Sequence, residues 1–237
     1  MSFQVHVYNN STYLLRYFRK VSLSDINHIV KIIISINNNI YGRYCGSFED
    51  KLIQGLTYLE SSRKFKHLSV AHLEIGVLFG GSCILKGLLL HHEHLENKHK
   101  VIALDPFSGY YGKTTDPNSG KPVDKKSFLK NIRIFNLNLK NFFLINHRSQ
   151  DISKTLPALK KHRLVSLMID GDHTYQGINN DFSVYGPLLE KGGYLIIDDF
   201  GDPSWPEVTK FAKEHILTLS SWTPLIHYDT TLVLIKN

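Results

Sequence analysis

The chain has 237 residues, of which 42% are hydrophobic and 21% are charged, the mix of a soluble globular protein with one large domain. Two cysteines exclude a disulfide framework, so a reducing, cytoplasmic location is expected. The net charge of +7 is dispersed and forms no long basic block, so nucleic acid is not the expected partner. No apolar run approaches the roughly 18 residues of a membrane span, and no secretory-signal pattern opens the chain, so no membrane partner is expected.

The first 66 residues have the pattern of amphipathic helices. Ser22 or Ser24 is placed to cap a first helix, whose apolar residues share one face. These residues are Ile26, Ile29, Val30, Ile33 and Ile36, and those of a second helix are Phe48, Leu52, Leu56 and Leu59. We therefore predict that residues 1–66 form a helical extension that acts as a lid or a dimer arm. A homo-oligomer formed through these helices is an alternative left open.

Short apolar segments alternate with helical periods from about residue 68, which is typical of a parallel sheet covered by helices on both faces. The predicted strands lie at 68–75, 100–104, 142–146, 165–169 and 194–197, and one helical period runs through Ile178, Phe182, Tyr185 and Leu189. The last two apolar segments, 223–228 and 230–235, leave no room for a helix between them and predict an antiparallel hairpin. Residues 67–237 are therefore expected to form the main domain.

A long loop is predicted between Pro106 and Ser127, where proline and glycine recur without periodicity. Loops of this length inside a domain are usually functional or disordered. Because this one directly follows a strand end, where open α/β sheets bind ligands, we interpret it as a substrate loop.

Two strand ends carry residues suited to a nucleoside-containing cofactor. Gly76, Gly80 and Gly81 follow the first strand, and they allow a tight turn into a helix whose free amides favour an anionic group. Their spacing departs from the dinucleotide fingerprint. Asp105 ends the second strand, where a carboxylate can accept two hydrogen bonds from a ribose diol.

Acidic residues follow the fourth and fifth predicted strands. Adjacent parallel strands bring their carboxyl ends together, so Asp170, Asp172, Asp198 and Asp199 should converge. Carboxylates in one cleft repel each other unless a cation compensates, and oxygen ligands suit Mg²⁺ or Mn²⁺. His173 lies beside them with a near-neutral intrinsic pKa that suits a general base.

Three segments together resemble the class I S-adenosylmethionine-dependent methyltransferases. They are HLEIGVLFGGS, VIALDPFSGYYG and IDGDHTYQGINNDFSVYGPLLEKGGYLIIDDF, and the resemblance covers about residues 68–237. The subgroup that they resemble is the small-molecule O-methyltransferases of the macrolide-sugar type. Residues 1–66 carry no such resemblance.

The resemblance implies a role for each matching position. The methionine part of the cofactor would be held by Glu74, Gly76, Gly80, Gly81 and Ser82, the ribose by Asp105, and adenine by Ser149 and Gln150. In metal-dependent members, similar to catechol O-methyltransferase, the Mg²⁺ ligands match Asp170, Asp198 and Asp199. Asp199 departs from the catechol type, which has Asn there. The catechol-type lysine base matches His173, and Asp172 is the alternative base.

We therefore expect a Rossmann-like, seven-stranded, mostly parallel sheet with an antiparallel C-terminal hairpin and helices on both faces. The expected activity is Mg²⁺-assisted transfer of a methyl group from S-adenosylmethionine to a hydroxyl of a small sugar or natural-product acceptor. Three alternatives are left open: a nicotinamide-dependent oxidoreductase, an RNA methyltransferase, and a cofactor-binding module without catalysis.

Overall fold

The computed structural model describes residues 13–237, and its centre is a seven-stranded sheet in the order β3-β2-β1-β4-β5-β7-β6. The first five strands run parallel, while β7 pairs antiparallel with both β5 and β6. The strands are β1 Val70–Ile75, β2 His99–Leu104, β3 Phe142–Ile145, β4 Leu164–Ile169, β5 Leu189–Ile197, β6 Trp222–Tyr228 and β7 Thr231–Lys236. The predicted fold class is therefore confirmed.

Helices cover both faces of this sheet. On one face, the buried apolar residues of the first three helices pack against strand residues such as Met168, Ile196 and Val233, and those of the fourth helix pack against Val101 and Ala103. On the other face, the remaining helices cover Leu73, Leu167 and their neighbours. The helices are α1 Leu23–Asn39, α2 Phe48–Lys64, α3 Gly81–His92, α4 Lys125–Ile134, α5 Ile152–Leu159, α6 Tyr175–Tyr185 and α7 Pro206–Phe211.

Local sequence explains where the first two helices begin. Ser22 and Ser47 are the N-caps of α1 and α2, and each forms a capping box with an aspartate three residues later. Helix α1 includes the asparagines at 37–39, so the chain turns only after Asn39. The boundary at residue 66 between the helical extension and the main domain stays a prediction. Residues 1–12 of the extension lie outside the described range.

One half-buried arginine joins the two N-terminal helices to helix α3. Arg63 on α2 donates two hydrogen bonds to the Asp25 carboxylate of α1, both at 2.7 Å. The same guanidinium donates to Glu93 at the end of α3, at 2.7 and 2.9 Å. Such paired hydrogen bonds fix the orientation of the guanidinium as well as its distance from each carboxylate. Helices α1, α2 and α3 therefore share one packed layer.

The fifth strand differs from its sequence-based prediction. Helix α6 ends at Tyr185, and Leu189 begins β5 instead of continuing the helix. Pro187 lies in the single 3₁₀ turn between them, and it lacks the amide hydrogen that a longer helix would need.

None of the helices described within residues 13–237 is long and apolar enough to cross a membrane. Cys45 and Cys83 are both free thiols.

Candidate active site

A cavity of about 990 Å³ opens at the carboxyl ends of the parallel strands. The loops after β1, β2, β3, β4 and β5 all contribute to its wall, as expected for ligand sites in open α/β sheets. The sequence-predicted residues in the wall are Glu74, Gly76, Gly81, Ser82, Asp105, Ser149, Gln150, Asp170, Asp172, His173, Asp198 and Asp199. Gly80 lies behind the wall.

The turn after β1 requires glycine at three positions. At Gly76, with φ +83°, a β-carbon would lie 1.9 Å from the carbonyl oxygen of Asp170. A β-carbon at Gly80 would meet the Phe128 ring at 2.4 Å, and one at Gly81 would meet the Tyr44 ring at 2.3 Å. The turn therefore packs tightly against its neighbours, and it leaves the Gly81 end of α3 facing the cavity.

Asp105 is fixed by the backbone of two loops. Its carboxylate accepts hydrogen bonds from the Val77 amide at 2.8 Å and from the Phe107 amide at 2.5 Å. Burial raises the pKa of Asp105, while these amide hydrogen bonds act to lower it. Each carboxylate oxygen has a second lone pair. The carboxylate can therefore accept further hydrogen bonds from a diol in the cavity.

Glu74 is engaged in a buried network at the base of the cavity. Its carboxylate forms a 2.6 Å ion pair with the Lys86 ammonium, and both side chains are 1% exposed. It also accepts hydrogen bonds from the Ser82 hydroxyl and, at 3.2 Å, from the Cys83 thiol. A buried carboxylate needs such partners to stay charged. Glu74 also borders the cavity, and its predicted role in holding the methionine part stays a prediction.

The predicted adenine end lies after β3. Ser149 is buried, and its carbonyl oxygen accepts a 2.5 Å hydrogen bond from the Tyr185 hydroxyl, while Gln150 is exposed at the rim. Nearby Asp181 is fully buried and has a carboxylate oxygen without a partner among the described residues. Burial raises the pKa of Asp181 to about 6. The adenine role of Ser149 and Gln150 stays a prediction.

Three of the predicted residues form a compact cluster above β4 and β5. Nε2 of His173 lies 2.9 Å from the Asp199 carboxylate and 3.3 Å from that of Asp170. One potential ligand atom from each of the three lies within 4.8 Å of the other two. The two carboxylates at this spacing suit a divalent cation, with His173 beside it, and the metal site stays a prediction.

The cluster controls the protonation of His173. Burial acts to lower the pKa of this imidazole, but hydrogen bonds and charges from Asp170 and Asp199 outweigh it and raise the pKa to about 10. The Tyr111 hydroxyl bonds to the opposite ring nitrogen, Nδ1. Burial raises the pKa of Asp170 to about 6, against the effect of the neighbouring imidazolium. Without a bound cation, His173 therefore carries the positive charge of the cluster at neutral pH.

Two other predicted aspartates are bonded to residues outside the compact cluster. Asp198 accepts from the Thr231 hydroxyl at 3.3 Å and from the Gln54 amide at 3.5 Å, and its burial raises its pKa well above the usual value. Asp172 is exposed at the rim and accepts from the Thr174 amide at 3.0 Å, at the start of α6. The four aspartates share the cavity, but in this arrangement the compact cluster contains only two of them among the described residues.

Aromatic side chains that the sequence analysis did not single out enclose the cluster. Tyr111, from the predicted substrate loop, stacks on Trp205 with ring centroids 5.4 Å apart, and the His173 ring lies 4.6 Å from that of Trp205. Tyr111 and Asp199 both have positive φ, at 46° and 59°. Such backbone strain in non-glycine residues is frequent at functional sites. In the sequence, the Tyr110–Tyr111 pair between two glycines was the feature that could have indicated this aromatic wall.

The N-terminal segment also contributes to the wall, although no motif in the sequence had indicated it. Arg43, Tyr44, Cys45 and Gln54 all border the cavity. Arg43 forms a 2.8 Å ion pair with the buried Asp116 of the 106–124 loop. This contact joins the segment after α1 to the loop after β2 across the mouth of the cavity.

The chain matches known proteins over the region that builds this cavity. A family model described as a methyltransferase domain matches residues 73–200, more than half of the chain. A protein of Acanthamoeba polyphaga mimivirus, named "Uncharacterized protein R132", is 32% identical over 150 residues. Those residues are 61% of this chain but only 58% of the mimivirus protein.

Solved O-methyltransferase structures share the fold. The O-methyltransferase NovP is 18% identical with a TM-score of 0.63, and the alignment covers 89% of this chain and 97% of NovP. The calicheamicin methyltransferase CalS11 is 13% identical with a TM-score of 0.59, covering 93% and 96%. TomG of Streptomyces achromogenes, solved in complex with SAM, is 14% identical with a TM-score of 0.58, covering 100% and 99%.

These structural similarities show a common architecture, while the family match places the glycine turn, Asp105 and the acidic strand ends inside one methyltransferase domain. The chain belongs to the methyltransferase-domain family and has the class I, Rossmann-like methyltransferase fold.

Proposed function

We propose that the protein transfers a methyl group from S-adenosylmethionine to a hydroxyl of a small, sugar-like acceptor, with help from a divalent cation. One observation carries this proposal. The glycine turn, Asp105 and the Asp170–His173–Asp199 cluster border a single cavity of about 990 Å³. A cofactor held at β1 and β2 would therefore face an acceptor held at β4 and β5.

The cavity wall fits a nucleoside linked to an amino acid. Asp105 offers a fixed carboxylate to a ribose diol, and the glycine turn brings the backbone of Gly76 and Gly81 to the cavity wall. The start of α3 at Gly81 has no side-chain cap, so its amides can bind a carboxylate. S-adenosylmethionine, when bound here, would supply an electrophilic methyl group on its sulfonium.

The acidic cluster would prepare the acceptor for transfer. Asp170 and Asp199, with Asp198 beside them, would hold a divalent cation that orients the acceptor hydroxyl and lowers its pKa. The acceptor oxygen forms the new bond to the methyl carbon as the carbon–sulfur bond breaks with its electrons on sulfur. With a cation bound, the His173 imidazolium would release its proton to solvent, and neutral Nε2 would then accept the hydroxyl proton.

The acceptor class is inferred from the surroundings of the cluster and from the relatives. Tyr111 and Trp205 form a stacked aromatic wall beside His173, and such a surface suits the apolar face of a sugar ring. One solved relative, CalS11, is described as a TDP-rhamnose 3′-O-methyltransferase. The two hydroxyl oxygens of a vicinal diol would both coordinate one cation. A small-molecule diol is therefore the proposed partner.

The N-terminal segment is proposed as a lid for this site. The Arg43–Asp116 ion pair joins it to the 106–124 loop, and Asn131 of α4 holds it through a 2.7 Å bond from the Tyr41 amide. Both segments contribute side chains to the cavity wall. A lid excludes water from the transfer site, which strengthens its electrostatic contacts.

Asp105→Ala should weaken binding of S-adenosylhomocysteine by roughly 1–3 kcal/mol, because the ribose hydroxyls lose their buried acceptor. Isothermal titration calorimetry measures this loss directly. Glu190→Ala is a matched control, since Glu190 pairs with Arg163 at 3.0 Å outside the cavity. Unchanged affinity in a folded Asp105→Ala protein would contradict the ribose assignment.

A further inference from the structure

Two buried polar atoms in the cavity wall have no hydrogen-bond partner among the described residues. They are the amide oxygen of Gln54, Oε1, and the hydroxyl oxygen of Tyr44. Gln54 is only 3% exposed. Buried polar atoms in folded proteins nearly always have a partner. Unpaired atoms on a cavity wall therefore indicate that a ligand supplies one.

The orientation of Gln54 is set by the start of α2. Asp50, one turn earlier on the same helix, accepts from the Thr230 amide at 3.0 Å and the Thr231 hydroxyl at 2.9 Å. Residues four apart share a helix face, so this anchor places Gln54 beside Asp198. The NH₂ group of Gln54 faces the Asp198 carboxylate at 3.5 Å. Its Oε1 is consequently left as an acceptor that needs a donor.

Tyr44 is held over the beginning of α3. Its ring packs so closely on Gly81 that any β-carbon there would lie 2.3 Å away. The Lys51 ammonium lies 4.5 Å from the centre of the same ring and donates to Asn37 at 3.1 Å. The Tyr44 hydroxyl therefore belongs to the part of the cavity that begins with Gly76 and Gly81.

The acceptors at this end of the cavity favour a ligand group that donates hydrogen bonds. Asp198 accepts from the Gln54 amide and the Thr231 hydroxyl, while Glu74 is bonded to Lys86, Ser82 and Cys83. The Lys86 ammonium also balances the charge of Glu74. Oε1 of Gln54, in contrast, has no partner among the described residues. A ligand ammonium, which donates up to three hydrogen bonds, would supply one.

We propose that Gln54 Oε1, assisted by the Tyr44 hydroxyl, accepts hydrogen bonds from the α-ammonium group of the methionine end of the cofactor. This assignment rests on the proposed binding of S-adenosylmethionine. It makes the N-terminal extension part of the cofactor site, because both residues lie outside the matched region 73–200. Gln54 is a neutral acceptor for the ammonium, while Glu74 holds the Ser82 hydroxyl in place.

The test compares two ligands that differ only in the amine. Calorimetry in EDTA measures binding of S-adenosylhomocysteine and of its deaminated analogue, which keeps the carboxylate. The variants are Gln54→Met, which keeps the side-chain volume, and Tyr44→Phe, which keeps the ring over Gly81. Tyr17→Phe is the matched control, because the Tyr17 hydroxyl bonds to the Tyr13 hydroxyl and lies outside the wall. Thermal unfolding checks that each variant is folded.

We expect Gln54→Met to weaken S-adenosylhomocysteine binding by roughly 10- to 100-fold, the range for losing a hydrogen bond to a charged group. The deaminated analogue should bind Gln54→Met and wild type equally, and Tyr44→Phe should show the same selectivity with a smaller loss. Equal weakening for both ligands, or unchanged S-adenosylhomocysteine affinity, would overturn the assignment. Absence of binding to the wild type would overturn the proposed function itself.

Discussion

His173→Ala should lower kcat by roughly 10²–10⁴-fold, the usual effect of removing a general base. The imidazole contacts Asp170 and Asp199 through Nε2 and Tyr111 through Nδ1, so its position is fixed on both sides. Affinity for S-adenosylhomocysteine should stay unchanged. The measurement is steady-state transfer of labelled methyl groups to a panel of sugar diols and catechols, followed as a function of pH.

Asp172→Asn provides the matched comparison for His173. Asp172 lies next to His173 in the sequence, but it is exposed and bonded to the Thr174 amide. We expect this variant to keep its rate and the acidic limb of its pH profile, whereas His173→Ala loses that limb. If Asp172→Asn removes the limb and His173→Ala keeps it, Asp172 is the base.

Chelation should reduce transfer by at least about 100-fold, because the cation is expected to supply several kcal/mol of charge stabilisation. Added Mg²⁺ or Mn²⁺ should restore the rate. Binding of Mn²⁺, followed by electron paramagnetic resonance, should weaken in Asp170→Asn, which removes one charge from the cluster. S-adenosylhomocysteine affinity in EDTA is the control for folding, and full transfer in excess EDTA would reject the metal.

The same experiment has a predicted pH dependence. Without a cation, the raised pKa of His173, about 10, keeps the imidazole protonated and unable to accept a proton at pH 8. Residual transfer in EDTA should therefore rise as the pH approaches 10. A bound cation repels the imidazolium and lowers its pKa, so the acidic limb should move to lower pH with Mg²⁺. A limb at the same pH in both conditions would contradict this coupling.

The sequence predicted the sheet because its strands are short apolar segments with distinct helical periods between them. The prediction was wrong at Leu189. The apolar spacing of α6 placed this residue in the helix, but strand β5 begins there. Apolar spacing alone does not separate the last turn of a helix from the first residue of a buried strand. Pro187 was the local signal for the change.

The sequence also predicted which strand ends build the cavity, because motif residues at the ends of parallel strands converge. It did not predict the partners of Glu74 or the contribution of Gln54. Lys86 reaches Glu74 from the second turn of α3, and Gln54 reaches the cavity only because Asp50 anchors α2 at Thr230 and Thr231. These are long-range contacts between helices and loops, and no local pattern encodes them.

Calorimetry of the wild-type protein with S-adenosylhomocysteine and with NAD is the most direct test of the cofactor assignment. The turn at Gly76 and the carboxylate of Asp105 are present in one wall, so S-adenosylhomocysteine should bind with one molecule per chain. NAD should give no binding heat, because the glycine spacing departs from the dinucleotide fingerprint. Binding of NAD without binding of S-adenosylhomocysteine would contradict the account.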